Sequence, residues 1–409
     1  MTQGASAPLI PEVGIVALPY HQFKSRWMTP HHVLTRLAHY FHVLWMEPAH
    51  HWRQTRRQPR RKDDVTRLIA ALPQTFDIYV PEPWLFDIMR PSWFRRWLFQ
   101  ERLRRAHSRL ERRGCRSFVL HLWHYQFEAA LDLAKYDLSL YHIDDEYSFT
   151  SNPPPMPPGE RRVIERVDHV FAISPGLMDR KGGINPHMSF APEGVDYSLY
   201  STPVSEPPDL AKIPHPRVGY TGVLKMQLNW PLLRDLATRH AELSFVFVGP
   251  RAVTGDLGAV LDDMGRCKNV YFLGPKTVRD LAAYPQHFDV CIMPYLVDGY
   301  TDNIYPLKLH EYLASGTPVV GSPVRTLKEF DGVIALARTI DDWSTALIAA
   351  LRLPAISATH AVSARQVIAR RYDWSEITYD IARMICDRLG HRYAERIRKL
   401  PVKTPVLPP

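Results

Sequence analysis

The chain has 409 residues, enough for two cores rather than one, with 45% hydrophobic and 23% charged residues. That balance excludes an intrinsically disordered chain, and no run approaches the ~18 apolar residues of a membrane span. The formal net charge is +9, and the four cysteines (Cys115, Cys267, Cys291 and Cys386) lack paired or metal-like spacing, as expected for buried thiols in a reducing compartment.

The start, M-T-Q-G-A-S-A-P-L-I, has neither the basic nor the apolar region of a secretory leader, so a cytoplasmic location is expected. Residues 13–18 (V-G-I-V-A-L) predict a first parallel strand, and residues 31–40 a helix through Val33, Leu34, Leu37 and Ala38. Residues 43–46, 78–80, 118–122, 138–143 and 170–173 continue the strand series, with helical spacing between them. Such alternation predicts a parallel sheet covered on both faces, with ligands bound beyond the carboxyl ends of its strands. Polar clusters fall at those ends: Tyr20-His21-Gln22, then residues 121–124, then His142-Ile143-Asp144-Asp145-Glu146. A carboxylate there is able to orient or deprotonate a hydroxyl; the plain reading is a cap on the next segment. Among the 19 histidines, the adjacent pairs His31-His32 and His50-His51 lack ligand spacing, and no metal site is expected.

Between His51 and Ser117 stand 17 Arg and Lys against 7 Asp and Glu, which accounts for the whole positive excess of the chain. The stretch contains R-R-Q-P-R-R-K at residues 56–62 and W-F-R-R-W-L-F at residues 93–99. Phe99, Leu103, Ala106 and Leu110 recur at helical spacing with arginines between them, a basic amphipathic helix of the kind that anionic membranes attract. Its candidate membrane contacts are Arg95, Arg96, Trp97, Arg102 and Arg105. A solvated helix face is the competing reading. Without a helix-turn-helix, zinc-finger or RNA-recognition signature, no nucleic-acid partner is expected.

The proline-rich N-P-P-P-M-P-P at residues 152–158 reads as a surface loop, followed by helical spacing over 160–167. F-A-I-S-P-G-L and A-P-E-G-V-D-Y-S-L-Y close the first half, and the domain boundary is expected within 201–216. Residues 217–223 (R-V-G-Y-T-G-V) end a strand at Thr221-Gly222, where glycine lets backbone N–H groups approach a phosphate; Lys225 follows. Residues 243–248, 270–273 and 290–293 run into Gly249-Pro250, Gly274-Pro275-Lys276 and Pro294-Tyr295. These small or rigid ends clear space for a planar base. Residues 333–336 predict a last strand, and residues 343–351 and 367–389 predict helices.

Residues 298–322 organise the rest: D-G-Y-T-D-N-I-Y-P-L-K-L-H-E-Y-L-A-S-G-T-P-V-V-G-S. The pattern predicts a polar loop, a short helix with Pro306 in its first turn, a left-handed stop at Gly316 and a buried strand. Lys308 and Glu311 share one helix face. Lys308 is placed to hold a phosphate near the positive helix end, and Glu311 to accept hydrogen bonds from sugar hydroxyls. An ordinary surface ion pair is the plain reading.

P-L-K-L-H-E-Y-L-A-S-G-T-P-V-V resembles the donor-site segment of retaining GT-B glycosyltransferases, glycosyltransferase family 4 or group 1. Y-H-I-D-D-E-Y-S-F resembles the aromatic–acidic segment of that family's bacterial polysaccharide-type subgroup. The resemblance covers the second half well and the first loosely, and rests on the order of the T-G turn, the G-P turns, P-Y and the donor-site segment. It implies an α/β GT-B fold: two Rossmann-like parallel-sheet domains facing a cleft. Residues 1–205 would form the acceptor side, 206–370 the nucleotide-sugar side, 371–395 a helix returning to the first domain, and 396–409 a disordered tail.

The resemblance further implies that Glu311 holds the donor ribose and that a glutamate eight residues earlier faces the transferred sugar, where this chain has Asn303. Glu193 stands where the family usually has Asn. Implied donor contacts are Gly222, Lys225, Gly274, Lys276, Tyr295, Asn303, Tyr305, Pro306, Lys308 and Glu311. The implied acceptor side is His21, His124, Asp144 and Asp145, with Asp145, Lys308 and Glu311 as the catalytic set. The expected reaction moves a hexose from a nucleoside-diphosphate sugar to a glycan or lipid-linked saccharide with retention, in bacterial exopolysaccharide or cell-surface polysaccharide synthesis. No cofactor or metal is expected, and the place of work is the cytoplasmic face of a membrane. A nucleotide-sugar epimerase or hydrolase, and a catalytically silent binding protein, are the other readings of the same scaffold.

Overall fold

The computed structural model describes residues 7–25, 27–55, 72–147, 155–352 and 355–400. The first sheet contains β1 (Val13–Leu18), β2 (His42–Met46), β3 (Phe76–Tyr79), β4 (Ser117–Leu122), β5 (Leu138–Ile143), β6 (His169–Ala172) and β7 (Met188–Phe190). Its order is β3-β2-β1-β4-β5-β6-β7, and the pairs are parallel. The second contains β8 (Arg217–Thr221), β9 (Ser244–Val248), β10 (Val270–Gly274), β11 (Val290–Met293), β12 (Val319–Gly321) and β13 (Ala335–Leu336), in the order β10-β9-β8-β11-β12-β13 and again parallel. All residues of β1, β5, β8 and β9 are buried, because helices cover both faces of each sheet.

In each sheet the chain starts in the middle and reverses direction across it, at β1/β4 and at β8/β11. At such a switch point the two following loops part and leave a crevice beyond the carboxyl ends of the strands. The two crevices face one another, and the cavity between them is lined from both domains. Residues 203–216 link the domains without strand or helix.

The helix Trp374–Leu389 crosses back to the first domain. Trp374 stacks on His32 at 4.8 Å, and Ile377, Ile381 and Ile385 join the core that holds β1 and the helix Thr29–Leu37. A further helix, His391–Arg398, secures the return: Arg396 pairs with Glu12 at 3.0 Å and the Tyr393 hydroxyl meets Ser117 Oγ at 3.0 Å. Residues 396–398 are therefore helical rather than tail, and 401–409 lie outside the described residues.

Two differences from the sequence expectation bear on the cleft. β7 was not foreseen; three residues with Phe190 exposed carry too little pattern to read as a strand. The helix expected over 367–389 is broken at Tyr372-Asp373. Asp373 leaves the helical path to cap the next helix, accepting the Ser375 N–H at 2.8 Å, while its other oxygen takes the Tyr197 N–H at 3.1 Å. Val195 pairs with the same break: its N–H donates to the Tyr372 carbonyl and its carbonyl accepts from Trp374.

Candidate functional site

The helix Lys308–Ser315 starts at the mouth of a cleft of about 630 Å³ between the two domains. One face is apolar, with Leu309, Tyr312 and Leu313 buried. The Tyr312 hydroxyl accepts the Thr221 N–H at 2.8 Å and so ties the helix to the tip of β8. Lys308 and Glu311, on the other face, line the cleft. Pro306 precedes the helix, and its carbonyl accepts the Leu309 N–H at 3.0 Å.

Gly222 lies beside Lys308. Its φ of +122° favours glycine, and a Cβ there would fall 2.0 Å from Lys308 Cε. The Gly222 N–H donates to the Val248 carbonyl at 2.7 Å, and the Leu224 N–H to the Pro250 carbonyl at 2.9 Å. The Gly222 amide is thus engaged within the domain, and the glycine's missing side chain gives the lysine its room. Lys308 Nζ lies 5.6 Å from the centre of the Tyr220 ring. Burial raises the Glu311 pKa, opposed by the charge of Lys308 and the nearby Tyr200 hydroxyl.

The facing wall belongs to the first domain. After β5, Glu146 turns inward, 2.8 Å from Arg180 and 3.6 Å from Lys181, and the fully buried Lys181 bonds Glu160 at 2.6 Å. This knot of buried charges holds the acidic loop and presents Asp144 and Asp145 to the cleft. Asp144 accepts the Tyr147 hydroxyl at 3.2 Å; burial, then its neighbour Asp145, pushes its pKa up to about 7. Asp145 accepts the Glu146 N–H at 2.8 Å and, from the second domain, the Tyr300 hydroxyl at 3.1 Å. Burial raises its pKa as well, against the pull of Lys225.

A third carboxyl joins them. Glu193, on the loop after β7, accepts the Thr29 hydroxyl at 2.5 Å, and burial pushes its pKa up to about 8. His124 packs between Tyr20 at 4.6 Å and Tyr125 at 4.4 Å, and its Nδ1 accepts the Gln126 N–H. Burial lowers its pKa to about 4, so the imidazole is neutral near pH 7. The cleft thus sets the ammonium groups of Lys308 and Lys225 opposite a wall of carboxyls and rings. A diphosphate suits the first and a polyhydroxylated ligand the second. Among the described residues, no group of three or more His, Cys, Asp or Glu is placed to hold a metal ion.

Residues 216–353 match the family described as Glycosyl transferases group 1. A segment of 170 residues is 31% identical to TuaH of Bacillus subtilis, assigned as a glycosyltransferase of teichuronic acid biosynthesis; it spans 40% of this chain and 42% of that relative. Similar solved structures include a sucrose-phosphate synthase from Thermosynechococcus elongatus, with a TM-score of 0.67 at 16% identity over 91% of this chain and 98% of that one. The Anabaena protein HepE, solved with UDP-glucose, gives 0.64 at 16% identity over 91% and 99%. A Rickettsia africae glycosyltransferase gives 0.67 at 9% identity over 93% and 99%. The chain has the GT-B fold.

Within this GT-B cleft the structure brings together His21, His124, Asp144, Asp145, Gly222, Lys225, Lys276, Lys308 and Glu311. Lys276 stands at the rim with its ammonium on Asp209 at 2.6 Å, and Asp209 also accepts the Tyr284 hydroxyl. Gly274, Tyr295, Asn303, Tyr305 and Pro306, the other expected donor contacts, lie outside the lining of this cavity. Gly274 ends β10, and Tyr295 and Pro306 are buried in the domain. Tyr305 bonds His310 Nε2 at 2.8 Å and packs near Phe190. Asn303 is a seam residue. Its Nδ2 donates to the Gly299 carbonyl at 2.7 Å, its own carbonyl accepts the Ser174 hydroxyl at 2.5 Å, and its Oδ1 would lie 2.8 Å from a Cβ at Gly176.

On the basic helix, Ser92–Arg112, Arg95, Arg96 and Trp97 are exposed. Arg102 is buried over the Phe99 ring and unavailable to a surface partner, correcting its assignment as a membrane contact. Arg105 pairs with Glu82 at 2.6 Å and Glu101 at 2.8 Å. The basic run 56–62 lies outside the described residues. Sequence reasoning left Thr29, Glu193 and Tyr200 out of the cleft lining, and Tyr300 out of the contacts that hold Asp145. Only Glu193 carried a signal, a carboxylate in A-P-E-G-V-D near a strand end; the others come together from distant segments of the chain.

Proposed function

We propose that this chain transfers a hexosyl unit from a nucleoside-diphosphate sugar to a hydroxyl of a glycan or lipid-linked saccharide, with retention, in making a bacterial cell-surface polysaccharide. The observation that carries the reading is one helix presenting Lys308 and Glu311 into an interdomain cleft, with Gly222 keeping the lysine's path open. Lys308 and Lys225 meet the diphosphate charge as the C1–O bond of the donor breaks, and Glu311 accepts the ribose hydroxyls. Asp145 orients the acceptor hydroxyl. The proton of that hydroxyl passes to the departing phosphate, so the reading calls for neither a protein nucleophile nor a metal. HepE, solved with UDP-glucose, and TuaH support the donor class and the pathway class.

A nucleotide-sugar panel is expected to raise the melting temperature of the parent and not of Glu311→Ala. Product from donor and a saccharide panel, examined by NMR, is expected to keep the anomeric configuration. Free sugar or an epimer formed without acceptor would favour a hydrolase or epimerase. Donor binding with no turnover across the panel would leave a silent binding protein.

The same proposal places the enzyme on an anionic membrane surface. Around the start of the helix Ser92–Arg112, Trp84, Met89, Trp93 and Trp97 stand from 47% to 75% exposed, beside Arg90, Arg95 and Arg96. Tryptophans with arginines suit the lipid–water interface. Co-sedimentation with phosphatidylglycerol vesicles is expected to weaken with salt and with Trp93→Ala/Trp97→Ala. Equal binding to neutral vesicles would remove the claim. Among the described residues, no helix is long and apolar enough to cross a membrane.

A further inference from the structure

Glu193 is 5% exposed, and its two oxygens differ. Oε1 takes the Thr29 hydroxyl at 2.5 Å; Oε2 is buried with no hydrogen-bond partner. A buried polar atom left so is costly unless a ligand completes it. Both Thr29 and Glu193 line the cleft, together with Asp144, Asp145 and Lys308.

The loop that carries Glu193 has little freedom to turn away. Val195 is bonded on both sides to the crossing segment, through the Tyr372 carbonyl at 2.9 Å and the Trp374 N–H at 3.0 Å. A Cβ on Gly194 would lie 2.7 Å from the Trp374 ring, so loop and helix are in close contact. A role confined to holding Thr29 would employ one oxygen and leave the other with no purpose at the cavity wall. Lys308 acts electrostatically on Glu193, as do Asp144 and Asp145.

We infer that Glu193 reads a hydroxyl of the donor hexose, its Oε2 making the hydrogen bond, and that this wall selects an uncharged hexose over a hexuronate. The inference rests on the nucleotide-sugar reading above and deepens it. A sugar whose diphosphate is held by Lys308 hangs within reach of the wall formed by Thr29 and Glu193. A uronate carboxylate there would stand among the carboxyls of Asp144, Asp145 and Glu193, where a further ionised group is disfavoured, whereas a hydroxyl supplies a partner that Oε2 lacks.

The experiment has two arms on the full-length protein. In the first, UDP, GDP and ADP are scored by thermal shift against the parent, Glu193→Ala and Glu193→Gln. In the second, the stabilising diphosphate is used as its glucose and its glucuronic acid conjugates, and KM and kcat are measured for each. The expected result is an unchanged diphosphate shift in both variants. Glu193→Ala should show a hexose KM raised about 10-fold and a hexose-over-hexuronate preference reduced about 10-fold. Glu193→Gln, which keeps a polar atom at the wall, should return both toward the parent. Parental KM and preference in Glu193→Ala would overturn the inference, as would loss of the diphosphate shift along with the sugar effect, or an effect confined to acceptor KM. No shift of the parent by any diphosphate would sink the nucleotide-sugar reading itself, and the inference with it.

Discussion

The two walls of the cleft are built in opposite ways. The second-domain wall carries its charges locally: Lys308 and Glu311 sit on one short helix, and Gly222, just past the first strand of the same domain's sheet, leaves the lysine room. The first-domain wall is assembled from afar. Thr29 and Glu193 are 164 residues apart, Asp145 is held by Tyr300 from the other domain, and the acidic loop rests on a buried charge knot that includes Lys181. A binding surface made by helix periodicity survives changes elsewhere in the chain. One made by long-range pairings depends on every pairing, and its chemistry is open to change through residues remote from the ligand.

The sharpest test of that dependence is Lys181→Met, which leaves Glu160 buried without its ammonium while Glu146 keeps Arg180. It is expected to cost about 3–5 kcal/mol in urea unfolding, because an unpaired buried charge costs more than the pair contributes. A change within ~0.5 kcal/mol would show that the far wall does not rest on this knot. Lys308→Met is expected to lower kcat/KM about 100- to 1000-fold while the urea midpoint stays near the parent, since the helix is held by Leu309, Tyr312 and Leu313. Loss of stability in that variant would mean that the near wall is less self-sufficient than its local construction implies.

A smaller effect is expected from pH. Burial lifts the Glu193 pKa from 4.5 to about 8, so the folded state keeps a proton that the unfolded chain gives up. Stability from this group is complete below pH 4.5 and is lost as pH rises through about 8. Glu193→Gln removes the titration, so the variant should gain on the parent steadily between pH 5 and pH 8 in urea unfolding. Parallel stability curves for the two proteins would refute it. The smallest change is expected at the seam. Asn303→Glu places a larger, charged group against Gly176 and should cost about 1–2 kcal/mol without raising turnover. A gain in activity would place position 303 in the donor site.

Much of the fold was legible before the structure. β1, β5 and β11 span the residues that their apolar runs marked, because a strand buried on both faces announces itself without reference to any other segment. The break at Tyr372-Asp373 was not legible: the helical spacing runs on, and only the pairing with Val195 and Tyr197 draws Asp373 out of it. Of the site, Lys308 and Glu311 were readable from their three-residue spacing. Asn303 and Tyr305 lie outside the cavity lining because neighbours in sequence at a helix entrance face different ways once the domains meet.

The sequence alone determined which segments become strands, which helix carries an ammonium and a carboxyl on one face, and where positive charge gathers, since each follows from periodicity and composition within a short window. Only the tertiary structure decided that Gly222 makes room for Lys308, that Asn303 belongs to the seam, and that Glu193 keeps one oxygen unpaired at the cavity wall. Those outcomes depend on distances between segments far apart in the chain, set by how two sheets and a returning helix pack, and no local pattern encodes them.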